Sequence, residues 1–204
     1  MTIDSISVQG DGYVFCKSKF YSVHDLLHEN LSYDFIRGVN MLVGDIDSGN
    51  WAVSYLLSMY MHRPKDFVLF DKPAVVANGK PVAFAEISKL SCYMDELNPI
   101  FNTKLTPEKL VLRGLKHSHL NYTVNEIKEI FYLDDERFKR SIKSTGNEFF
   151  RMAAAVGFSY GKEVFCFPWL SQMRFRNFHG NISVLLEILE KLNKVVVVPL
   201  GSAT

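Results

Sequence analysis

The apolar run Met41-Leu42-Val43 stops abruptly at Gly44-Asp45-Ile46-Asp47-Ser48-Gly49. Beyond that loop Trp51, Val53, Leu56, Leu57 and Tyr60 recur at helical spacing, which predicts a helix to about His62 that stops before Pro64. Strand, glycine-bounded loop and helix in that order form the building unit of an α/β fold. The C-terminal part agrees. Ile182 to Leu192 reads as a helix, and Val195 to Val198 as a strand apolar throughout, the pattern of a parallel strand buried on both faces.

The remaining chain fills in around this unit. Ile3 to Val8 alternates, Gly10-Asp11-Gly12 is a turn, and Tyr13–Cys16, Leu31–Ile36 and Val39–Val43 are further strand candidates. Strand signals continue over residues 66 to 93, with Asn78-Gly79 as the hairpin turn between Ala74-Val75-Val76 and Val82-Ala83-Phe84. From Thr106-Pro107, an N-cap followed by proline at the first helical position, the pattern turns helical. Thr123–Phe131 and Asp134–Ile142 are two short amphipathic helices, Phe149–Phe158 is an alanine-rich helix, and Val164–Phe167 is a buried strand closed by Pro168. A length of 204 residues bounds the chain to one domain, residues 1–204, or one domain with an insertion. Lys+Arg at 23 against Asp+Glu at 22 argues against a polybasic surface, so neither nucleic acid nor direct anionic-membrane attraction is expected. No apolar run reaches spanning length and no basic-then-apolar leader precedes the first strand, so a cytoplasmic protein is expected. Cys16, Cys92 and Cys166 are widely spaced and read as small core residues rather than disulfide partners or zinc ligands.

A phosphate-binding loop is written GxxxxGK[ST]: backbone N–H groups wrap the phosphates, the lysine reaches the outer ones and the hydroxyl holds magnesium. In Gly44-Asp45-Ile46-Asp47-Ser48-Gly49-Asn50-Trp51 both glycines stand at that separation, after a strand and before a helix. Asn50 stands in the lysine's place and Trp51 in the hydroxyl's. Asp45 and Asp47 add carboxylates where a triphosphate would lie, and like charges repel. Taken alone, two glycines five apart read as an ordinary strand-to-helix turn rather than a phosphate loop.

The whole order of landmarks, from about residue 3 to 200, resembles the nucleotide-binding domain of an ABC transporter. The resemblance rests on joint spacing. Tyr21 lies 23 residues before Gly44, where the family places its adenine-stacking aromatic, and Gly38 sits at the turn before the loop's strand. Leu90-Ser91-Cys92-Tyr93-Met94-Asp95-Glu96 resembles the strand into the Q-loop, with Glu96 at or near the glutamine. Residues of approximately 98–145 stand where the family inserts a small α-helical subdomain. Ser144-Thr145-Gly146-Asn147-Glu148, leading into Phe149-Phe150-Arg151-Met152-Ala153-Ala154-Ala155, resembles the signature and its helix. Val164-Phe165-Cys166-Phe167 resembles the Walker B strand, and Lys194 to Leu200 the strand that ends in the switch histidine. The implied fold is a P-loop NTPase-like ABC ATPase core of the α/β class: a mixed sheet with flanking helices, an N-terminal antiparallel β portion and the helical subdomain.

The departures follow a pattern. Pro168 and Trp169 replace the Walker B carboxylates, Leu200 replaces the switch histidine, and Asn147 replaces the second signature glycine. Gln172-Met173-Arg174-Phe175 keeps nothing of the family's D-loop. Phosphoryl transfer depends on positioning and charge stabilisation by the missing groups. The resemblance therefore implies a pseudo-ATPase without catalytic residues, with no cofactor expected and weak ATP binding as the alternative. Its partners would be an ABC membrane permease, an intact ATPase subunit or a second copy of the chain, at the inner face of the cell membrane through the partner. The signature remnant Thr145-Gly146-Asn147-Glu148 would be its one contribution to a partner's site. Two other readings stay open: a slow ATPase that binds nucleotide through backbone contacts, and a soluble protein-interaction module on the same fold. The chain ends four residues after Leu200, which implies shortened C-terminal helices.

Several residues have plain alternatives. Tyr21 is either an adenine contact or an ordinary tyrosine, and Glu96 either a permease-facing or a solvated loop residue. Arg151 reads as fixing the signature helix locally. Trp51 and Trp169 either fill an emptied pocket together or are unrelated aromatics. The pairs His117/His119 and His24/His28 lack further ligands at metal spacing. The 16 phenylalanines fit a partner interface or a Phe-rich core alike.

Overall fold

The computed structural model describes residues 2–10, 12–17, 22–27, 32–45, 48–62, 74–177 and 179–202. Tyr21, Ile46 and Asp47 lie outside the described residues, as do the side chains of residues 12–17 and 22–27. In chain order the elements are β1 (Ser5–Gln9), β2 (Gly12–Lys17), β3 (Ser22–Leu27), β4 (Ser32–Ile36), β5 (Gly38–Val43) and α1 (Asn50–Met59). Then come β6 (Ala74–Ala77), β7 (Lys80–Val82), α2 (Phe84–Leu90), β8 (Ser91–Tyr93), α3 (Pro107–Ser118), α4 (Val124–Ile130) and α5 (Asp135–Phe138). The last are α6 (Phe149–Ser159), β9 (Val164–Cys166), α7 (Gln172–Asn177), α8 (His179–Lys191) and β10 (Val195–Leu200).

The parallel sheet has the order β5-β10-β9-β8. Its alternation divides the core into two. Val195, Val197, Val164, Cys166 and Tyr93 face α1 and the antiparallel strands, whereas Val196, Val198, Phe165 and Cys92 face α6 and α8. Side chains of period two buried on both sides explain why β10 carries four consecutive valines. A second, antiparallel sheet runs β4-β1-β6-β7, and β2 pairs with β3 as a two-stranded ribbon. The β6–β7 turn has Asn78 and Gly79 at φ 50° and 74°, the left-handed pair that a two-residue hairpin needs.

Local chemistry sets the helix starts. Thr106 Oγ1 accepts from Lys109 N at 3.3 Å ahead of Pro107, and Thr123 and Glu126 cap α4 reciprocally. From the helical stretch 107–138, Leu110, Val111, Ile127, Phe131 and Phe138 are buried in the same cluster as α6, α8 and one face of the parallel sheet. Two expectations need correction. Phe84 begins helix α2 and not a strand: Phe84, Ile87 and Ser88 are buried at helical spacing, and Glu86 Oε2 accepts from Ala83 N at 3.2 Å. The helix expected over 134–142 ends at Phe138, and residues 142–144 form a separate 3-10 turn.

Candidate functional site

β5, β10 and β9 run parallel, so the loop after Val43, the residues after Leu200 and the segment after Cys166 meet at one end of the sheet. In open α/β sheets ligands bind beyond the carboxyl ends of the strands. Gly44 N donates to Leu200 O at 2.9 Å, continuing the β5–β10 register past the strands. The Ser202 hydroxyl donates to the Asp45 carboxylate.

The loop is held by its own side chains. Ser48 N and Oγ both donate to Asp45 O, at 3.0 and 2.5 Å. Gly49 sits at φ 83° before α1, a left-handed conformation that favours glycine. Asn50 is only 6% exposed. The Tyr33 hydroxyl lies 3.2 Å from Ser48 O and donates to Asn50 Oδ1 at 3.3 Å. A Cβ at Gly44 would come within 2.7 Å of both Asn50 Nδ2 and Ser48 Oγ, so the space beside Gly44 is occupied by these two side chains.

The two tryptophans take different places. Trp51 is turned into the core, where its indole N–H donates to the Tyr93 hydroxyl at 3.2 Å and its ring lies 5.2 Å from that of Tyr55. Trp169 covers the loop: its indole N–H donates to Gly44 O at 3.2 Å, and its Cζ2 would be 2.9 Å from a Cβ at Gly201. Pro168 and Leu200 are buried beside it. Over 44–51, 167–170 and 200–202 the described residues include one carboxylate, Asp45, and no cation.

Thr145-Gly146-Asn147-Glu148, expected from the resemblance to be a signature remnant, lie just before α6. Thr145 is buried and its hydroxyl donates to Ile142 O at 2.8 Å; Gly146 has φ 57° and open space around it; Asn147 is exposed. Glu148 Oε1 pairs with Arg151 at 3.1 Å and Arg137 at 3.3 Å, and Arg151 also donates to Tyr132 O at 2.8 Å. Arg151 is thus committed to contacts that tie α6 to the α4–α5 connection. Glu96 is exposed after β8. The described histidines gather with no cluster of three metal-ligating groups among the described residues. Tyr33 and Ser202 are not among the expected site residues, and Tyr93 is expected only as part of the strand into the Q-loop. The β10–β5 register, which sets Ser202 beside Asp45, is seen only in the structure.

No family model matches the sequence, and no curated protein sequence matches it. Solved structures do match. An ABC transporter ATP-binding protein of Pyrococcus furiosus superposes with a TM-score of 0.61 at 15% identity, over 98% of this chain and 92% of that one. The ATP-binding cassette MJ0796, a dimer bound to ADP and Pi, gives 0.59 at 12% identity, over 97% and 88%. A bacterial Atm1-family ABC exporter with ATP bound gives 0.57 at 12% identity over 99% of this chain, which spans 35% of the exporter's length. Among the described residues no helix is long and apolar enough to cross a membrane. At these identities the likeness is one of architecture, and the chain has the fold of an ABC ATPase nucleotide-binding domain.

Proposed function

We propose that the chain is a catalytically degenerate ABC-type ATP-binding subunit, a pseudo-ATPase that acts as a structural or regulatory partner of a membrane permease, of an intact ATPase subunit, or of a second copy of itself. It works in the cytoplasm, held at the inner face of the membrane by its partner. One observation carries this reading. The loop at the carboxyl end of the sheet is closed by Trp169 on Gly44 O, Ser202 on the Asp45 carboxylate and Tyr33 on Asn50. Asn50, Trp51, Pro168, Trp169 and Leu200 stand where the fold's active members carry a lysine, a hydroxyl, two carboxylates and a histidine. Each lost charge-assisted hydrogen bond removes about 1.5–3 kcal/mol of grip on phosphate or metal. Losing three of them accounts for a fall of three or more powers of ten in affinity.

Calorimetric titration of the purified chain with magnesium-ATP to millimolar concentration tests this. The expected result is no saturable heat and no rise in melting temperature. Micromolar binding would overturn the proposal and direct attention to slow hydrolysis through backbone contacts. Recovery of the tagged chain in a complex with a permease distinguishes a transporter subunit from a soluble interaction module.

A further inference from the structure

β8 and β9 are preceded by Lys89 and Lys162, and at this amino end of the parallel sheet, opposite the loop of Gly44 and Gly49, there is a cleft of about 400 Å3. It is lined by Met61, His62, Ser88, Lys89, His117 and Lys162. Four of the six carry or can carry positive charge, and none is acidic. Lys162 is the unusual member. Its ammonium donates to Lys89 O at 2.5 Å, and among the described residues no carboxylate pairs with it. Lys194 nearby shows the ordinary solution, with Glu163 at 2.6 Å. Burial holds the Lys162 ammonium below the usual lysine range. The Cys92 thiol beside it supplies no compensating charge, because burial pushes it up to about 12 and it stays protonated at neutral pH. An ammonium has three donors, and one carbonyl satisfies one of them.

Helix ends attract cations, and Lys89 and His117 do lie in the last turns of α2 and α3. That attraction accounts for the single Lys162–Lys89 bond. It leaves unexplained why two ammonium groups and two imidazoles share one cleft with no counter-charge among the described residues that line it. A phosphate monoester carries about −1.5 to −2 charges at neutral pH, which matches two ammonium groups. The cleft volume falls at the lower end of small-ligand sites, roughly 300–1,000 Å3. Met61, 49% exposed, offers an apolar surface for an organic substituent.

We propose that this cleft binds a small phosphate-bearing molecule, with Lys89 and Lys162 on the phosphate oxygens and His62 and His117 at its rim. The site is separate from the degenerate loop and does not depend on the function proposed above. The test is titration of the full chain with inorganic phosphate and with glycerol phosphate at constant ionic strength. Calorimetry and the imidazole NMR resonances provide the readouts. Saturable binding that shifts His62 and His117 but not His179 is expected, weakened about tenfold or more by Lys89→Gln and by Lys162→Gln, in line with one charge-assisted bond each. If Lys162→Gln fails to fold, Lys89→Gln, which alters an exposed side chain, decides the matter alone. Absence of saturable binding, an equal response to sodium chloride, or binding that Lys89→Gln leaves intact would overturn the proposal.

Discussion

Asn50 is where the proposed degeneracy of the loop can be tested by restoration. A lysine there would carry an ammonium into a site 6% exposed, in place of an amide that accepts from Tyr33. Over the loop and its facing segments Asp45 is the one described carboxylate, and Ser202 already donates to it. Asn50→Lys is therefore expected to destabilise the chain by about 3 kcal/mol, the cost of an unpaired buried charge, without conferring ATP turnover. Denaturant unfolding and a phosphate-release assay check the two halves. Measurable turnover would show that a lysine alone completes the site. Gly114 sets a packing limit elsewhere: a Cβ there would lie 2.7 Å from Tyr160 Cδ2 and 2.9 Å from the Ser159 carbonyl carbon, where α3 crosses α6. Backbone cannot swing aside as a side-chain tip does. Gly114→Ala is expected to cost about 3 kcal/mol, or roughly 6–12 °C in melting temperature, and a shift below about 2 °C would mean that α3 moves freely against α6.

At the scale of elements, what the sequence made legible was local chemistry. Thr106-Pro107, Thr123 and Asn78-Gly79 define their helix starts and hairpin turn through side chains and φ angles within a few residues. Helix α2 was hidden because its seven residues continue an apolar strand-like run, and two turns are too short for period 3.6 to outweigh period 2. The cap of α4 also gives a pH dependence. Glu126 accepts from Thr123 N at 2.7 Å and Thr123 Oγ1 at 2.8 Å, and these bonds, the backbone one first, hold its carboxyl below the usual glutamate range. A depressed folded-state pKa contributes stability that is fully present above the unfolded-state value and is lost as pH falls through the folded-state value. The native chain should accordingly melt above Glu126→Gln at neutral pH, and the gap should close as the solution is acidified past the glutamate range. A gap that persists in acid would mean that the charge of Glu126 is not what stabilises the cap.

The whole molecule adds what spacing could not express. The parallel order of β5, β10 and β9 was readable as a class of strand, but the register was not, and only the register brings Gly44, Trp169, Leu200 and Ser202 to one place. Tyr33 reaches the loop from a different sheet, a proximity without any trace in the linear pattern. Trp51 and Trp169 looked alike as replacements at the site, yet α1 points one into the core toward Tyr93 while the segment after β9 lays the other on the loop. Among the described residues the loop is held by contacts from β4, the segment after β9 and the residues after β10. On the proposed reading, association of this chain is therefore independent of nucleotide. Sedimentation velocity of the purified chain should give the same distribution with and without millimolar magnesium-ATP, whether that distribution is monomeric or dimeric. A heavier species that appears only with nucleotide would require the loop to open and take up phosphate. Trp169 fluorescence would then change with the same concentration dependence, since its indole N–H would have to leave Gly44 O.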